Sequence, residues 1–101
     1  MILYNVTVSV EDSVKEDWLE WMKKTHIPDV LASNLFVDYK MLRLLGNEQS
    51  PDTQTFAVQY FCESMANFEL YEQKFAPKLR QEVAKRYGNK CLSFRTLLEV
   101  L

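Results

Sequence analysis

Residues 2 to 10, ILYNVTVSV, alternate without a break: Ile2, Tyr4, Val6, Val8 and Val10 on one side, Leu3, Asn5, Thr7 and Ser9 on the other. Successive side chains of a strand point to opposite faces, so this stretch predicts a strand with one buried face. Only Glu11-Asp12-Ser13 separates it from a different period. At about 100° per residue, Val14, Trp18, Trp21, Met22 and Thr25 share one stripe while Glu16, Glu20 and Lys23 point away. Ser13 and Glu16 have capping-box spacing, the hydroxyl accepting from the Glu16 amide and the carboxylate reaching back to the Ser13 amide, so a helix is expected to start there. The stripe faces a core.

The remaining elements follow from their breakers and periods. Pro28 lacks an amide hydrogen and disfavours helical angles at Ile27, which predicts a helix that ends or kinks near His26 and a turn from Asp29 to Ala32. Phe36 to Leu45 reads as a second strand of ambiguous facing, since Val37, Tyr39, Met41 and Arg43 compete with Phe36, Asp38, Lys40 and Leu42; a half-covered edge strand accounts for that. Gly46 to Thr53 is a polar hairpin loop leading to a third strand, Gln54 to Cys62, with Phe56, Val58, Tyr60 and Cys62 on one face. Ser64 is placed to cap a second helix in which Phe68, Tyr71, Phe75, Leu79 and Val83 recur at helical spacing, closed by Gly88 in a left-handed position. Pro77 predicts a kink or break after Phe75. Residues 91 to 101 read as a last strand, with Leu92, Phe94, Thr96, Leu98 and Val100 assigned inward and Cys91, Ser93, Arg95, Leu97 and Glu99 outward.

The order βαββαβ predicts an α+β, ferredoxin-like sandwich: a four-stranded antiparallel sheet, order 4-1-3-2, with two helices on one face. One domain spanning residues 1–101 is expected, and 48% hydrophobic residues suffice for its core. The other face of the sheet is expected to carry Leu3, Asn5, Thr7, Ala57, Gln59, Phe61, Arg95 and Leu97. Its apolar members would leave surface worth ~25 cal/mol per Å² in water. A second copy of the chain, related by a two-fold axis, is the expected cover, which makes the chain its own partner through the open sheet face.

Twelve basic against fourteen acidic residues, a net charge of −2, provide no positive field for a phosphate backbone, so nucleic acid is not an expected partner. The basic residues around the second helix, Lys78, Arg80, Lys85, Arg86 and Lys90, interleave with Glu69, Glu72 and Glu82 as on a solvated face. No basic leader and no apolar run near the ~20 residues of a membrane span is present, so no membrane contact is expected and the chain reads as cytoplasmic. Cys62 and Cys91 fit no CxxC spacing and, with one histidine, supply too few ligands for zinc; both are expected reduced, with no metal and no cofactor. A metal chaperone needs CxxC after the first strand and an acylphosphatase a phosphate-cradling loop with arginine, where this chain has Glu11-Asp12-Ser13. An RNA-recognition sheet needs aromatics where this one has Leu3, Asn5, Ala57 and Gln59.

The element order, taken with Trp21 and the run His26-Ile27-Pro28 at the end of the first helix, resembles the dimeric α/β-barrel superfamily over nearly the whole chain. Within that superfamily it resembles in particular the ethyl tert-butyl ether degradation-like members, whose tryptophan-rich first helix ends in His-x-Pro. More closely, the whole sequence resembles a small uncharacterised bacterial family of single-domain proteins of about this length, which supplies no substrate. The superfamily includes cofactor-independent monooxygenases, haem-degrading enzymes, isomerases and decarboxylase-like or cyclase-like enzymes, with ligands between the open sheet face and the first helix. That resemblance implies a pocket for a small apolar or aromatic molecule lined by Asn5, Trp18, His26, Tyr39 and Arg95, with Gln59 beside them on the open face. The haem-degrading group places its iron-ligating histidine on the second helix, and Met65 to Tyr87 has none.

His26 is the residue best suited to proton transfer, because an ordinary imidazole pKa of about 6.5 lets it give and take a proton near neutrality. The competing account is a packed residue favouring the negative end of a helix. Trp18 and Trp21 likewise fit the core stripe as well as a stacking wall. Two readings therefore stand: a homodimeric binding domain, and a cofactor-independent enzyme using His26 as general acid or base.

Overall fold

The computed structural model describes residues 1–46 and 50–101. Strands β1 (Ile2–Glu11), β2 (Asp38–Arg43), β3 (Thr53–Cys62) and β4 (Cys91–Glu99) form one antiparallel sheet in the order β2-β3-β1-β4, which is the expected 4-1-3-2 read from the other edge. Helical segments α1 (Lys15–Trp21), α2 (Ile27–Leu31), α3 (Met65–Lys74) and α4 (Ala76–Tyr87) pack on one face. The expected loop from Gly46 to Thr53 falls in part on residues 47–49, which lie outside the described residues; beyond them, the Asp12 amide donates to the Asp52 carbonyl at 2.8 Å.

The first helix departs from expectation at both ends. Ser13 makes no cap; residues Asp12–Val14 form a single 3-10 turn, and the Ser13 hydroxyl donates instead to the Glu11 carboxylate at 3.5 Å. Nor does the helix stop at His26. One π turn, Met22–His26, links α1 to α2, closed by the Ile27 amide donating to the Met22 carbonyl. The turn solves a phase problem: an unbroken α-helix would carry the Trp18–Met22 stripe on to Thr25 and Asp29, whereas the extra residue brings Ile27 and Val30 to the core instead. Pro28 then follows the π turn within the first two positions of α2.

The second helix breaks where Pro77 predicts. Phe75 adopts φ −117°, ψ −40° between α3 and α4, and Ser64 caps α3 by accepting from the Asn67 amide at 3.1 Å. The break rotates the helix, so Ala76 is buried and Phe75, expected in the stripe, is exposed. Gly88 ends α4 at φ 57°, ψ −131°, a positive-φ conformation outside the left-handed helical region and open in practice to glycine alone.

Directly opposed residues of an antiparallel pair share a face. Tyr39, Met41 and Arg43 pair with Tyr60, Val58 and Phe56, which resolves the second strand: these side chains face the helices, while Asp38, Lys40 and Leu42 face away. On β4 the expectation is overturned. Val10, Val8, Val6 and Tyr4 oppose Cys91, Ser93, Arg95 and Leu97, so Arg95 and Leu97 stand on the helix side, and Leu92, Phe94 and Leu98 on the open side. Hydrophobicity favours the richer phase as the buried one, but here the richer phase is the one the helices leave uncovered. The core is an aromatic stack in which the Tyr4 ring lies 5.0 Å from Phe68, 6.0 Å from Tyr60 and 6.1 Å from Tyr71, with Trp18, 1% exposed, 4.9 Å from Phe56.

Candidate functional site

Between the helix side of the sheet and the helices lies a cavity of about 340 Å³. Tyr4, Val6 and Val8 of β1, Val58 and Tyr60 of β3, and Cys91, Ser93 and Arg95 of β4 form its floor. Trp18, Met22 and His26 from the first helix and Tyr71, Leu79 and Arg80 from the second close it over. His26 gets there through the π turn, of which it is the last residue; its ring lies 5.2 Å from that of Trp21, which in turn meets Tyr87 edge-on at 5.7 Å.

Two buried polar atoms on this cavity's lining residues have no protein partner: His26 Nδ1 and the Tyr60 hydroxyl. A buried polar atom without a partner is costly, so the presence of two on the lining of one cavity makes it the candidate site. Burial lowers the His26 pKa to about 4, opposed by the carboxylate of Asp29, so the imidazole is neutral at pH 7. Burial, together with Tyr71, Tyr4 and Tyr39, holds the Tyr60 phenol well above its ordinary value, so it remains a hydrogen-bond donor. Burial pushes the Cys91 thiol up to about 11, with Glu11 adding to the effect.

Arg80 and Arg95 supply the positive charge. Arg80 is satisfied: it pairs with Glu72 and donates to the Tyr4 hydroxyl at 3.2 Å. Among the described residues the Arg95 side chain has no ion pair and no hydrogen bond, although it lies near enough to Tyr71 to oppose the rise that burial imposes on that phenol. Among the described residues no Asp or Glu lines the cavity.

Of the six residues singled out in the sequence, Trp18, His26 and Arg95 meet in the cavity. Asn5 and Gln59 sit on the opposite side of the sheet, where Gln59 Nε2 donates to Asn5 Oδ1 at 3.3 Å and Asn5 Nδ2 donates to the Thr7 hydroxyl at 3.0 Å. Tyr39 faces the helices from the edge strand, beside Tyr60 but outside the cavity lining. The tyrosines escaped notice because Tyr4 and Tyr60 occupy inward strand positions and count as core; the available signal was that a buried phenol must find a partner for its hydroxyl. The described residues contain no group of three or more His, Cys, Asp or Glu able to hold a metal, and no helix among them is long and apolar enough to cross a membrane.

The family model described as Domain of unknown function (DUF4286) matches residues 1–101. No curated protein matches the chain. Among solved structures, the chain is similar to an ethyl tert-butyl ether (EthD) family protein from Bacillus halodurans, with TM-score 0.68 and 16% identity over 100% of both chains. HapK from Hahella chejuensis gives TM-score 0.71 and 10% identity over 100% of this chain and 93% of that one. A dimeric ferredoxin-like protein from an uncultured marine organism gives 0.64 and 16% over 99% and 95%. At these identities the likeness shows the fold: a ferredoxin-like antiparallel sheet with its helices on one side.

Proposed function

We propose that this chain, which belongs to the family described as Domain of unknown function (DUF4286), is a homodimeric binding domain that takes a small apolar or aromatic molecule into the cavity between its sheet and helices. The carrying observation is the cavity itself: about 340 Å³, walled by valines and aromatic rings, with the unpartnered His26 Nδ1 and Tyr60 hydroxyl and the free Arg95 on its lining. Ligand sites have this make-up, mostly apolar with a few converging polar groups, and volumes from about 300 Å³. The sequence-based expectation put the ligand on the open sheet face. The cavity on the helix side makes that unnecessary and leaves the open face for self-association.

Leu3, Leu42, Phe61, Leu92, Phe94 and Leu98 share that open face, and Leu92 and Phe94 are 66% and 63% exposed. A patch of this kind on a sheet calls for a cover, and a two-fold copy pairs like with like. The fold shared with proteins described as dimeric supports the same reading. On it, the chain works as one domain in the cytoplasm with both cysteines reduced.

Nitrogen–proton correlation NMR during titration with monocyclic and bicyclic aromatic compounds tests the site. Shifts are expected at the Trp18 indole and at Tyr60 and Ser93. Shifts confined to Asn5 and Gln59, or none, would remove the cavity as the site.

One observation favours a second reading, a cofactor-independent enzyme with His26 as general acid or base: the imidazole reaches the cavity, neutral and with Nδ1 free of protein partners. With its pKa near 4 it is ready to accept a proton but holds it weakly, so catalysis requires bound ligand to raise that value. An imidazole titration unchanged by saturating ligand would remove the enzyme reading and leave the binding one.

A further inference from the structure

We infer that the ligand of this cavity is a carboxylate on an aromatic or apolar body, and that Arg95 holds its charge. The inference rests on the binding reading above and adds the ligand's chemistry to it.

The β4 register decides where the guanidinium stands. Arg95 opposes Val6 of β1 and shares its side of the sheet with Ser93 and Leu97, over a cavity floor built mainly of valine and tyrosine. Its side chain is exposed, yet it stands at the border of an apolar hollow whose lining, among the described residues, holds no carboxylate. Arg80, the other cation on the lining, is already committed to Glu72 and to the Tyr4 hydroxyl. Among the described residues that leaves Arg95 as a lining arginine without an ion pair, in a chain whose net charge is −2, so it is a local feature and not a consequence of composition.

A guanidinium offers a planar fork of donors that matches the two oxygens of a carboxylate, and such a charge-assisted pair strengthens where water is partly excluded. The rest of the lining fits the body of the molecule. The Tyr60 hydroxyl is a buried donor on a residue 2% exposed, with no partner in the protein, and suits a second ligand oxygen. Trp18, Tyr4 and Met22 supply apolar and aromatic wall. A neutral aromatic ligand would fill the same volume and leave Arg95 unpaired beside it.

Calorimetric titration with benzoate, 2-naphthoate and indole-3-acetate, each set against its primary amide, separates charge from shape. The unmodified protein is expected to bind the best carboxylate about tenfold or more tightly than its amide. Arg95→Gln is expected to bring acid and amide level, and Arg95→Lys to restore part of the difference; because Arg95 is exposed and unpaired, both variants keep the fold, checked by their unfolding midpoints. Equal binding of acid and amide by the unmodified protein, or carboxylate affinity unmoved in Arg95→Gln, overturns the carboxylate inference and leaves the cavity as a binding site. Failure of every acid and amide to bind overturns both.

Discussion

The Tyr87 hydroxyl donates to Asp17 Oδ2 at 2.8 Å, tying the last turn of α4 to α1 across 70 residues. Arg86 completes the clamp: its Nε donates to the Tyr87 hydroxyl at 3.1 Å, its Nη2 reaches both Asp17 oxygens at 3.3 Å, and its guanidinium lies 5.4 Å over the Trp21 ring. Because the Trp21 ring lies tilted against that of His26, the clamp buttresses the wall beside the imidazole. The Tyr87 hydroxyl, helped by Arg86 and opposed by desolvation, holds the Asp17 carboxyl below its ordinary value of 3.8. A carboxyl depressed in the folded state stabilises fully above its unfolded value and loses that contribution as pH falls through the lower folded one. Acid unfolding of Asp17→Asn should therefore lack a loss that the unmodified protein shows below about pH 3.8. Tyr87→Phe should lower the unfolding midpoint at pH 7 and have little effect near pH 2, and an equal fall at both would show that the clamp acts through packing alone.

His26 titrates in a separate window. The unfolded imidazole takes a proton near 6.5 and the folded one only near 4, so between these values the unfolded chain binds more protons and stability falls as pH is lowered. The full loss corresponds to about 3 kcal/mol, is absent above 6.5 and levels off below 4. Urea unfolding at pH 7 and pH 4.5 should show most of it, and His26→Gln, which does not titrate, should flatten the profile over this range. A profile unchanged by that substitution would mean that the imidazole is not desolvated in solution.

The sheet was legible where one face is clearly richer than the other. In β1 and β3 the inward phase holds Tyr4, Val6, Val8, Phe56, Val58 and Tyr60, and no comparable run competes on the outward phase. In β4 the same rule misleads: the richer phase, Leu92, Phe94 and Leu98, is the one the helices leave uncovered, and because hydrophobicity cannot tell which side the helices take, it places Arg95 on the wrong face. The first helix hid its continuation in a five-residue step from Met22 to Ile27, which matches no α-helical face and is visible only once the π turn is seen. Of the three that meet in the cavity, His26 is singled out by its own chemistry, as the one imidazole in the chain, whereas Trp18 and Arg95 rest on the superfamily resemblance. Tyr4 and Tyr60 passed as core because their rings are buried, and nothing in a single sequence reveals whether a buried phenol has found a partner.

Phe94 should be where association is broken most cleanly. It lies opposite Thr7 on the open face, 63% exposed, and makes no contribution to the helix-side core. Phe94→Glu places a charge within that patch at no cost to the core, so the thermal unfolding of the separated chain should remain cooperative. Light scattering at micromolar concentration should give a dimer for the unmodified protein and a mass near 11.9 kDa for the variant. A mass near 11.9 kDa for the unmodified protein at the same concentration would instead show that the open face is left to water.

Cys91 reports on the cavity from inside. Its thiol is pushed from 9.0 up to about 11, chiefly by burial, which at pH 8 cuts the reactive thiolate about a hundredfold relative to an ordinary cysteine. Cys62 is fully buried and donates to the Leu35 and Ser64 carbonyls at 3.3 Å, so it offers no competing fast site. A thiol-specific disulfide reagent should accordingly label the native protein about a hundredfold more slowly than a model thiol, and both cysteines promptly once the chain is unfolded in urea. Because Cys91 lines the cavity, an occupant there should slow its labelling further without changing the rate in urea. Rapid, stoichiometric labelling of native Cys91 at pH 8 would show that the thiol is not desolvated where β4 borders the cavity.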